Sequence, residues 1–343
     1  MPFQICLEPS QRVFNVEAGE RILAAGLAAQ IKMPFGCRIG MCRSCRGRVI
    51  SGSIDFGDAH PTYLPREQRD QGYALLCQAT ARSDLVIEVE EVAKLVAPQT
   101  SPAIVKTIIR PNTDVTILTL RLPLHLNLRF AAGQYLDVLL EDGVRRSYSI
   151  ANPPRSAGVI DIALHIREIA GGLFTGGKLH SLKPRDKIQL EAPLGSFFLR
   201  DSEKPALLIA SGTGYAPIRS ILLETLPQHT GRKFVLYWGA RTLQDIYLFA
   251  EANQLAEQFS DFSFVPVLSK PAPEDAWEGR TGYANHAAMH DIPDMSGWQV
   301  YACGTPALVE AARTDFTRLA GLPMDEFFAD SFVTQAEVAA ARS

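Results

Sequence analysis

Four cysteines dominate the chemistry available to this chain. Cys37, Cys42 and Cys45 stand in GCRIGMCRSC with the spacing C-x-x-x-x-C-x-x-C, and Cys77 follows far downstream in LLCQAT. Three ligands in one loop and a fourth alone is an iron-sulfur spacing. Thiolates are soft ligands suited to such clusters, and Gly36, Gly40 and Gly47 let the backbone wrap closely enough for amides to point at the sulfurs. A structural zinc site also takes four cysteines, but it usually pairs two short C-x-x-C knuckles. Cys6, within an alternating run, reads as a small buried hydrophobe.

Two further sets of residues form loops rather than clusters. RSYS (Arg146, Ser147, Tyr148, Ser149) ends a strand-like run and offers an aromatic face, a guanidinium for a pyrophosphate and hydroxyls for a heterocycle's reactive edge. About twenty residues on, LHIREIAGGLFT brings Gly171 and Gly172 to the start of a helix, where backbone amides can meet a phosphate with Thr175 as a further donor. Glycine pairs are also ordinary turns. Then PALLIAS runs into GTGYAP (Gly212, Thr213, Gly214, Pro217) and a helix, which allows a dinucleotide pyrophosphate to approach the helix N-terminus. This loop lacks the full G-x-G-x-x-G. WQVYACG leads to Cys303, Gly304 and Pro306, which otherwise read as a buried strand end and a turn.

The elements that must position these residues fall into three modules. Residues 3–7 and 12–16 alternate, 19–30 reads as a helix, and 48–54 and 85–91 return to strand character, which makes a small α+β module over 1–93. KLVAPQTSP (94–102) has two prolines and little periodicity, so it is expected to be a linker of roughly 30 Å at ~3.3 Å per residue. Short strand-like runs punctuated by Gly and Pro fill 103–200 and suit a closed antiparallel β-barrel. From 201 to 343, apolar strands alternate with helical segments, the pattern of a parallel doubly wound sheet.

Composition narrows the class. At 343 residues and 47% hydrophobic content the chain is long enough for several cores. A formal net charge of −3 without long basic tracts argues against nucleic-acid binding. No apolar run reaches membrane-spanning length, and the N-terminus lacks a signal-peptide pattern. Six cysteines, three within nine positions, are too few for a disulfide scaffold and point to metal binding in a reducing compartment, so a cytoplasmic protein is expected.

Residues 1–93 resemble a plant-type ferredoxin, which implies a β-grasp fold and a [2Fe-2S] cluster on Cys37, Cys42, Cys45 and Cys77. GQY (133–135), RSYS and GGLFT, in that order, resemble the flavin domain of the ferredoxin-NADP reductase superfamily, and G-x-G-x-A-P is that superfamily's nucleotide loop. The resemblance implies FAD contacted by Arg146, Tyr148 and Ser149. It assigns the ribityl and phosphate region to His165, Ile166 and Arg167, and the pyrophosphate to Gly171, Gly172 and Thr175. It also implies NADH or NADPH with Cys303 beside the nicotinamide. Arg241, in WGARTLQDIYL, falls where relatives meet the adenine ribose, and coenzyme choice stays open. EFFADSF resembles the terminal acid-x-aromatic element, with Asp330 nearby and Phe332 over the flavin; the same run could be a helix ending in core aromatics.

The order of modules resembles reductase components of Rieske oxygenases of the naphthalene or terephthalate dioxygenase kind, and also CDP-6-deoxy-glucoseen reductases. The implied function is hydride transfer from NAD(P)H to FAD, then single electrons through the cluster to a terminal oxygenase, or alternatively to a sugar dehydratase. A redox-sensing binding protein is the non-enzymatic alternative. One departure from the family stands out: relatives often carry Gly after the second ligand, where this chain has Arg43. With Arg38, Arg46 and Arg48 it reads as a docking patch for an acidic acceptor, or as a solvated face.

Overall fold

The computed structural model describes residues 2–334. The described residues divide into two compact units, one of 2–97 with 195–197 and 329–334, the other of 98–194 with 198–328.

In the first unit the early elements are β1 (Phe3–Glu8), β2 (Val13–Val16), α1 (Ile22–Ala28), β3 (Arg46–Ser51), β4 (Ile54–Asp55) and α2 (Arg66–Asp70). They are followed by β5 (Tyr73–Leu75), β6 (Thr80–Ala81) and β7 (Leu85–Glu88). Five strands form one mixed sheet in the order β2-β1-β7-β3-β5, with β1 parallel to β7 and its other pairs antiparallel; β4 and β6 pair separately. This is the β-grasp arrangement expected. Helix α1 is shorter than 19–30 because Gly19 and Gln30 both sit in the left-handed region, at φ +82° and +60°. That conformation ends a right-handed helix.

The second unit opens with β8 (Gln99–Ile109), β9 (Val115–Arg121), β10 (Tyr135–Leu139), β11 (Arg145–Ser149), β12 (Asp161–Arg167), α3 (Leu179–Ser181) and β13 (Lys187–Leu194). The six strands run β11-β10-β13-β8-β9-β12, and an antiparallel bridge between Ile150 and Leu164 closes the ring around a core that includes Leu118, Leu136, Ile162 and Ile166. β8 begins at Gln99, so part of the segment expected to be a linker is already strand.

A second sheet follows with β14 (Ala206–Ser211), α4 (Tyr215–Thr225), β15 (Phe234–Ala240), α5 (Phe249–Gln258), β16 (Phe262–Leu268), β17 (Arg280–Thr281), α6 (Ala284–Asp291), β18 (Gln299–Gly304), α7 (Pro306–Leu319) and β19 (Phe327–Ser331). Its order is β17-β16-β15-β14-β18-β19, with β14 parallel to both β15 and β18. The direction of winding therefore reverses between β14 and β18, and in open α/β sheets ligands bind beyond the strand ends at that point. EFFADSF forms strand β19, not a helix end. No helix among the described residues is long and apolar enough to cross a membrane.

Candidate functional site

The cluster loop lies between α1 and β3. The Cys37 amide donates to Cys42 Sγ and the Cys42 amide to Cys37 Sγ, both at 3.3 Å. A β-carbon on Gly36 would sit 3.0 Å from Cys42 Sγ, so the backbone has to be bare there. Gly47 has another reason: it lies in β3, where Ile87 and Leu76 each leave only 3.1 Å for a β-carbon. The thiols fall into two pairs. The Cys37 thiol donates to Cys42, and the Cys45 thiol to Cys77, so the accepting sulfurs are held down, Cys42 to about 6, while their partners are pushed up. Two pairs of sulfurs suit two irons with two protein ligands each, whereas zinc draws four ligands around one point.

Two distant segments brace this loop within the first unit. Ser196 Oγ accepts from the Phe35 amide and donates to the Phe35 carbonyl, both at 2.9 Å. Ser44 Oγ donates to the Ala329 carbonyl at 3.0 Å. Asp330 is buried, and burial with the nearby Cys42 charge raises its carboxyl to about 7. Phe332 follows β19, half-buried. Nothing in composition or periodicity marks Ser44 or Ser196; only tertiary pairing reveals them.

The arginines of the loop are already engaged. Arg43 donates to the Thr62 carbonyl at 2.6 Å, Arg46 lies over the Tyr73 ring at 4.7 Å, and Arg48 reaches the Gln71 carbonyl at 3.3 Å and Glu88 at 3.9 Å. Arg38 and Arg43 have φ of +58° and +65°. The left-handed backbone explains why Gly is common after the second ligand in relatives: the turn needs that conformation, and Arg43 adopts it at a steric cost.

In the barrel, Ser149 ends β11 with its Oγ buried and without a hydrogen-bond partner, and Arg146 likewise has a buried Nη2 without one. Such atoms cost free energy unless a ligand satisfies them, so this strand fits the polar edge of a flavin. Ser147 is occupied, donating to the buried Asp137 at 2.6 Å. Tyr148 packs on the barrel core with its ring 5.7 Å from Phe174. The Ile166 side chain is fully buried in that core, which leaves only its backbone for a ligand. Gly171, at φ +74°, faces open space, and Gly172 precedes the π-helical turn Phe174–Lys178, in which Thr175 Oγ1 donates to the Ile169 carbonyl at 2.9 Å and accepts from its amide. The Thr175 hydroxyl thus shapes the loop, and the Gly172 amide is itself spent on the Ile169 carbonyl at 3.0 Å, which leaves Gly171 on the open side of the turn for a phosphate.

The nucleotide loops meet at the switch point. A β-carbon on Gly214 would lie 2.1 Å from the Cys303 carbonyl oxygen, and one on Gly304, at φ +147°, 2.2 Å from Ser211 Oγ. The two backbones therefore touch directly, and Cys303 is fully buried beneath them. Thr213 and Pro217 are buried as α4 begins, and Pro306 opens α7 behind the Thr305 cap. Arg241 is exposed just beyond β15, 3.9 Å from Asp245. The Arg167 guanidinium comes within 3.7 Å of where a Gly212 β-carbon would stand, which brings this barrel arginine to the nucleotide loop.

Sequence reasoning singled out His165 and Arg167 of the barrel only as flavin residues, and it missed Arg219 and Ser220, which join the nucleotide helix to the barrel. Arg219 of α4 makes a two-point ion pair with Glu251, at 2.7 and 2.8 Å, and donates to the Ala151 carbonyl at 2.9 Å, just past Ser149. Ser220 donates to the Asn152 carbonyl at 2.8 Å. An arginine on the apolar run YAPIRSILL was the available signal.

Four clustered thiols, a flavin strand and a dinucleotide sheet in one chain make the apparatus of a protein that turns a two-electron donor into one-electron delivery. Family models match in the same order: a 2Fe-2S iron-sulfur cluster binding domain over residues 5–82, an oxidoreductase FAD-binding domain over 102–199 and an oxidoreductase NAD-binding domain over 208–314. The CDP-6-deoxy-L-threo-D-glycero-4-hexulose-3-dehydrase reductase of Yersinia pseudotuberculosis is 36% identical over 97% of this chain and 99% of its own length. Component 2 of the terephthalate 1,2-dioxygenase reductase of Comamonas is 34% identical over 97% and 98%. Among solved structures, the Amycolatopsis cytochrome P450 reductase GcoB superposes with a TM-score of 0.76 at 31% identity, covering 97% of this chain and 99% of that one. The chain belongs to the ferredoxin-NADP reductase superfamily, in the subclass of iron-sulfur flavoprotein reductases with an N-terminal plant-type ferredoxin module.

Proposed function

We propose that this oxidoreductase passes electrons from NAD(P)H through FAD and the [2Fe-2S] cluster to the terminal oxygenase of a multicomponent oxygenase system. FAD supplies the conversion between a hydride's two electrons and the cluster's one. The observation that carries the reading is the buried, unpartnered Ser149 hydroxyl on the strand that leads, through Ala151, to Arg219 of the helix behind Gly214. In this reading Arg146, Tyr148 and Ser149 hold and orient the flavin. Arg167 and the Gly171–Gly172 turn take its pyrophosphate, and the nicotinamide lies beside Cys303, where the bare backbones of Gly214 and Gly304 let the two nucleotide loops pack against each other. Arg241 meets the adenine ribose. Asp330 and Phe332 complete the catalytic set, a role that rests on the resemblance of EFFADSF to the family's terminal element. Cys37, Cys42, Cys45 and Cys77 hold the cluster. We further propose domain limits of 1–93, a linker from 94 that ends where β8 begins at Gln99, a barrel module to 200 and a nucleotide module from 201, and a cytoplasmic location, because free cluster thiols need a reducing compartment.

The acceptor is proposed to dock at Arg38, Arg43, Arg46 and Arg48. A second reading, delivery to a sugar dehydrase, is favoured by the 36% identity to the Yersinia reductase. Anaerobic NADH should bleach the flavin and cluster absorbance together. Mixing the reduced protein with an oxidised Rieske oxygenase, and separately with a pyridoxamine-phosphate dehydrase, then tests the partner. Reoxidation by the dehydrase alone would replace the oxygenase reading, and no bleaching at all would remove both.

A further inference from the structure

Of one buried polar pair in the second unit, the histidine has so far stood only in the ribityl and phosphate region that the resemblance implies, and the tyrosine has no assigned role. His165 of β12 and Tyr247, which precedes α5, are both buried, and His165 Nδ1 lies 2.8 Å from the Tyr247 hydroxyl. The first belongs to the flavin barrel and the second to the nucleotide sheet. From Tyr247 the contacts run in two directions. Its ring stands edge-on to Trp238 at 5.3 Å; the Trp238 indole donates to the Gly212 carbonyl at 3.1 Å and stacks at 4.0 Å on Tyr215, the residue after Gly214. On its other side Tyr247 is near enough to Cys303 for a charge there to bear on its own ionisation. Both nucleotide loops are therefore referred, through three aromatic rings and two hydrogen bonds, to a single strand of the barrel, the Cys303–Gly304 loop by its backbone contact with Gly214.

A hydrogen bond buried in this way is costly to leave half-made, and packed rings do not deform gradually. The pair also holds one charge state: burial, with Arg219 near by, lowers His165 to about 3, so the imidazole is neutral when Tyr247 meets it. We propose that His165 and Tyr247 are positioning residues that register the Gly212–Gly214 and Cys303–Gly304 loops on the flavin barrel and thereby set the geometry of hydride transfer. The inference rests on the nucleotide reading of those loops. It explains why a tyrosine, and not another core aromatic, stands at this joint.

The test compares Tyr247→Phe with the wild-type holoenzyme. With the ring kept and the hydroxyl gone, flavin reduction by NADH should slow about tenfold while affinity for ADP-ribose stays within about twofold, because misplacement costs rate rather than remote binding. Two readouts do not depend on turnover: the flavin–nicotinamide charge-transfer absorbance should weaken, and amide exchange at Thr213, Gly214 and Gly304 without nucleotide should rise about tenfold. His165→Phe should match Tyr247→Phe, the double variant should be no slower than either, and His165→Asn, which restores a polar atom near the Nδ1 position, should recover the rate. Unchanged rate, absorbance and exchange in Tyr247→Phe would overturn the proposal, as would additive effects in the double variant. Should Tyr247→Phe not fold, the contrast between His165→Asn and His165→Phe decides by the same readouts, equal rates overturning it. Failure of the nucleotide reading itself would show separately, as wild-type protein with no affinity for ADP-ribose.

Discussion

The cluster loop and the hydride site solve the same problem, holding a redox group still, in opposite ways. In the first, nine residues supply three ligands, and the loop's own amides point at its own sulfurs, Cys37 to Cys42 and back. In the second, the groups come from β11, β12, β14 and β18, and their register depends on side chains remote in sequence: Arg219 on Ala151, Tyr247 on His165 and Trp238 on Gly212. A cluster is a rigid ligand with fixed bond lengths, so a local loop suffices. Hydride transfer needs two separately bound rings at close range, so two lobes have to be indexed to each other.

That contrast predicts that damage to the loop is confined to its own step. The largest effect expected is from Cys42→Ser, which removes a thiolate ligand. Delivery to an iron-containing acceptor should fall to background in the folded, FAD-loaded variant. NADH oxidation by a two-electron dye should stay within about twofold, because hydride transfer precedes the cluster. Steady-state assays with the two acceptors side by side make the measurement, and equal loss of both would break the comparison.

Next in size is Ser149→Ala. The Ser149 hydroxyl is buried and without a partner until a ligand provides one. Its removal should slow flavin reduction by about 10-fold to 100-fold, the value of one well-placed hydrogen bond at a reacting centre. FAD retention should change far less, since Arg146, Arg167 and the Gly171–Gly172 loop are untouched. Stopped-flow reduction at the wild-type rate would show that Ser149 plays no part at the flavin edge.

The same contrast explains what could be read without coordinates. The ligand set was legible because coordination geometry fixes cysteine spacing. The Gly212–Gly214 and Cys303–Gly304 loops were legible because backbone contact demands glycine. The joint between the lobes was not: Trp238 and Tyr247 look like ordinary core residues, His165 was marked only for the flavin's ribityl region, and only tertiary pairing gives the three a shared task. The three-module architecture followed from periodicity, but edges did not. Gln30 turning left-handed shortens α1, and β8 begins at Gln99 inside a stretch whose prolines read as linker. EFFADSF is too short for periodicity to separate strand from helix.

The smallest effect sharpens the comparison at the residue where this chain departs from its relatives. Arg43 pays about 1–2 kcal/mol for a left-handed backbone, which Gly would not. Gly costs roughly 0.5–1 kcal/mol in unfolded-chain entropy and gives up the bond to Thr62, itself worth about 1 kcal/mol at an exposed site. Arg43→Gly should therefore leave stability within about 1 kcal/mol of wild type, while Arg43→Glu keeps the strain, loses the bond and is the less stable of the two. If Arg43 steers an acidic acceptor, both variants should lower the second-order rate of electron delivery and flatten its dependence on salt, Glu more than Gly. Flavin reduction by NADH should be unchanged within about twofold in both, because surface charges act only over a Debye length. Chemical denaturation and acceptor kinetics across ionic strength separate these two contributions. An unaltered rate and salt slope in both variants would mean that Arg43 serves only to hold Thr62, and that acceptor recognition lies away from the cluster loop.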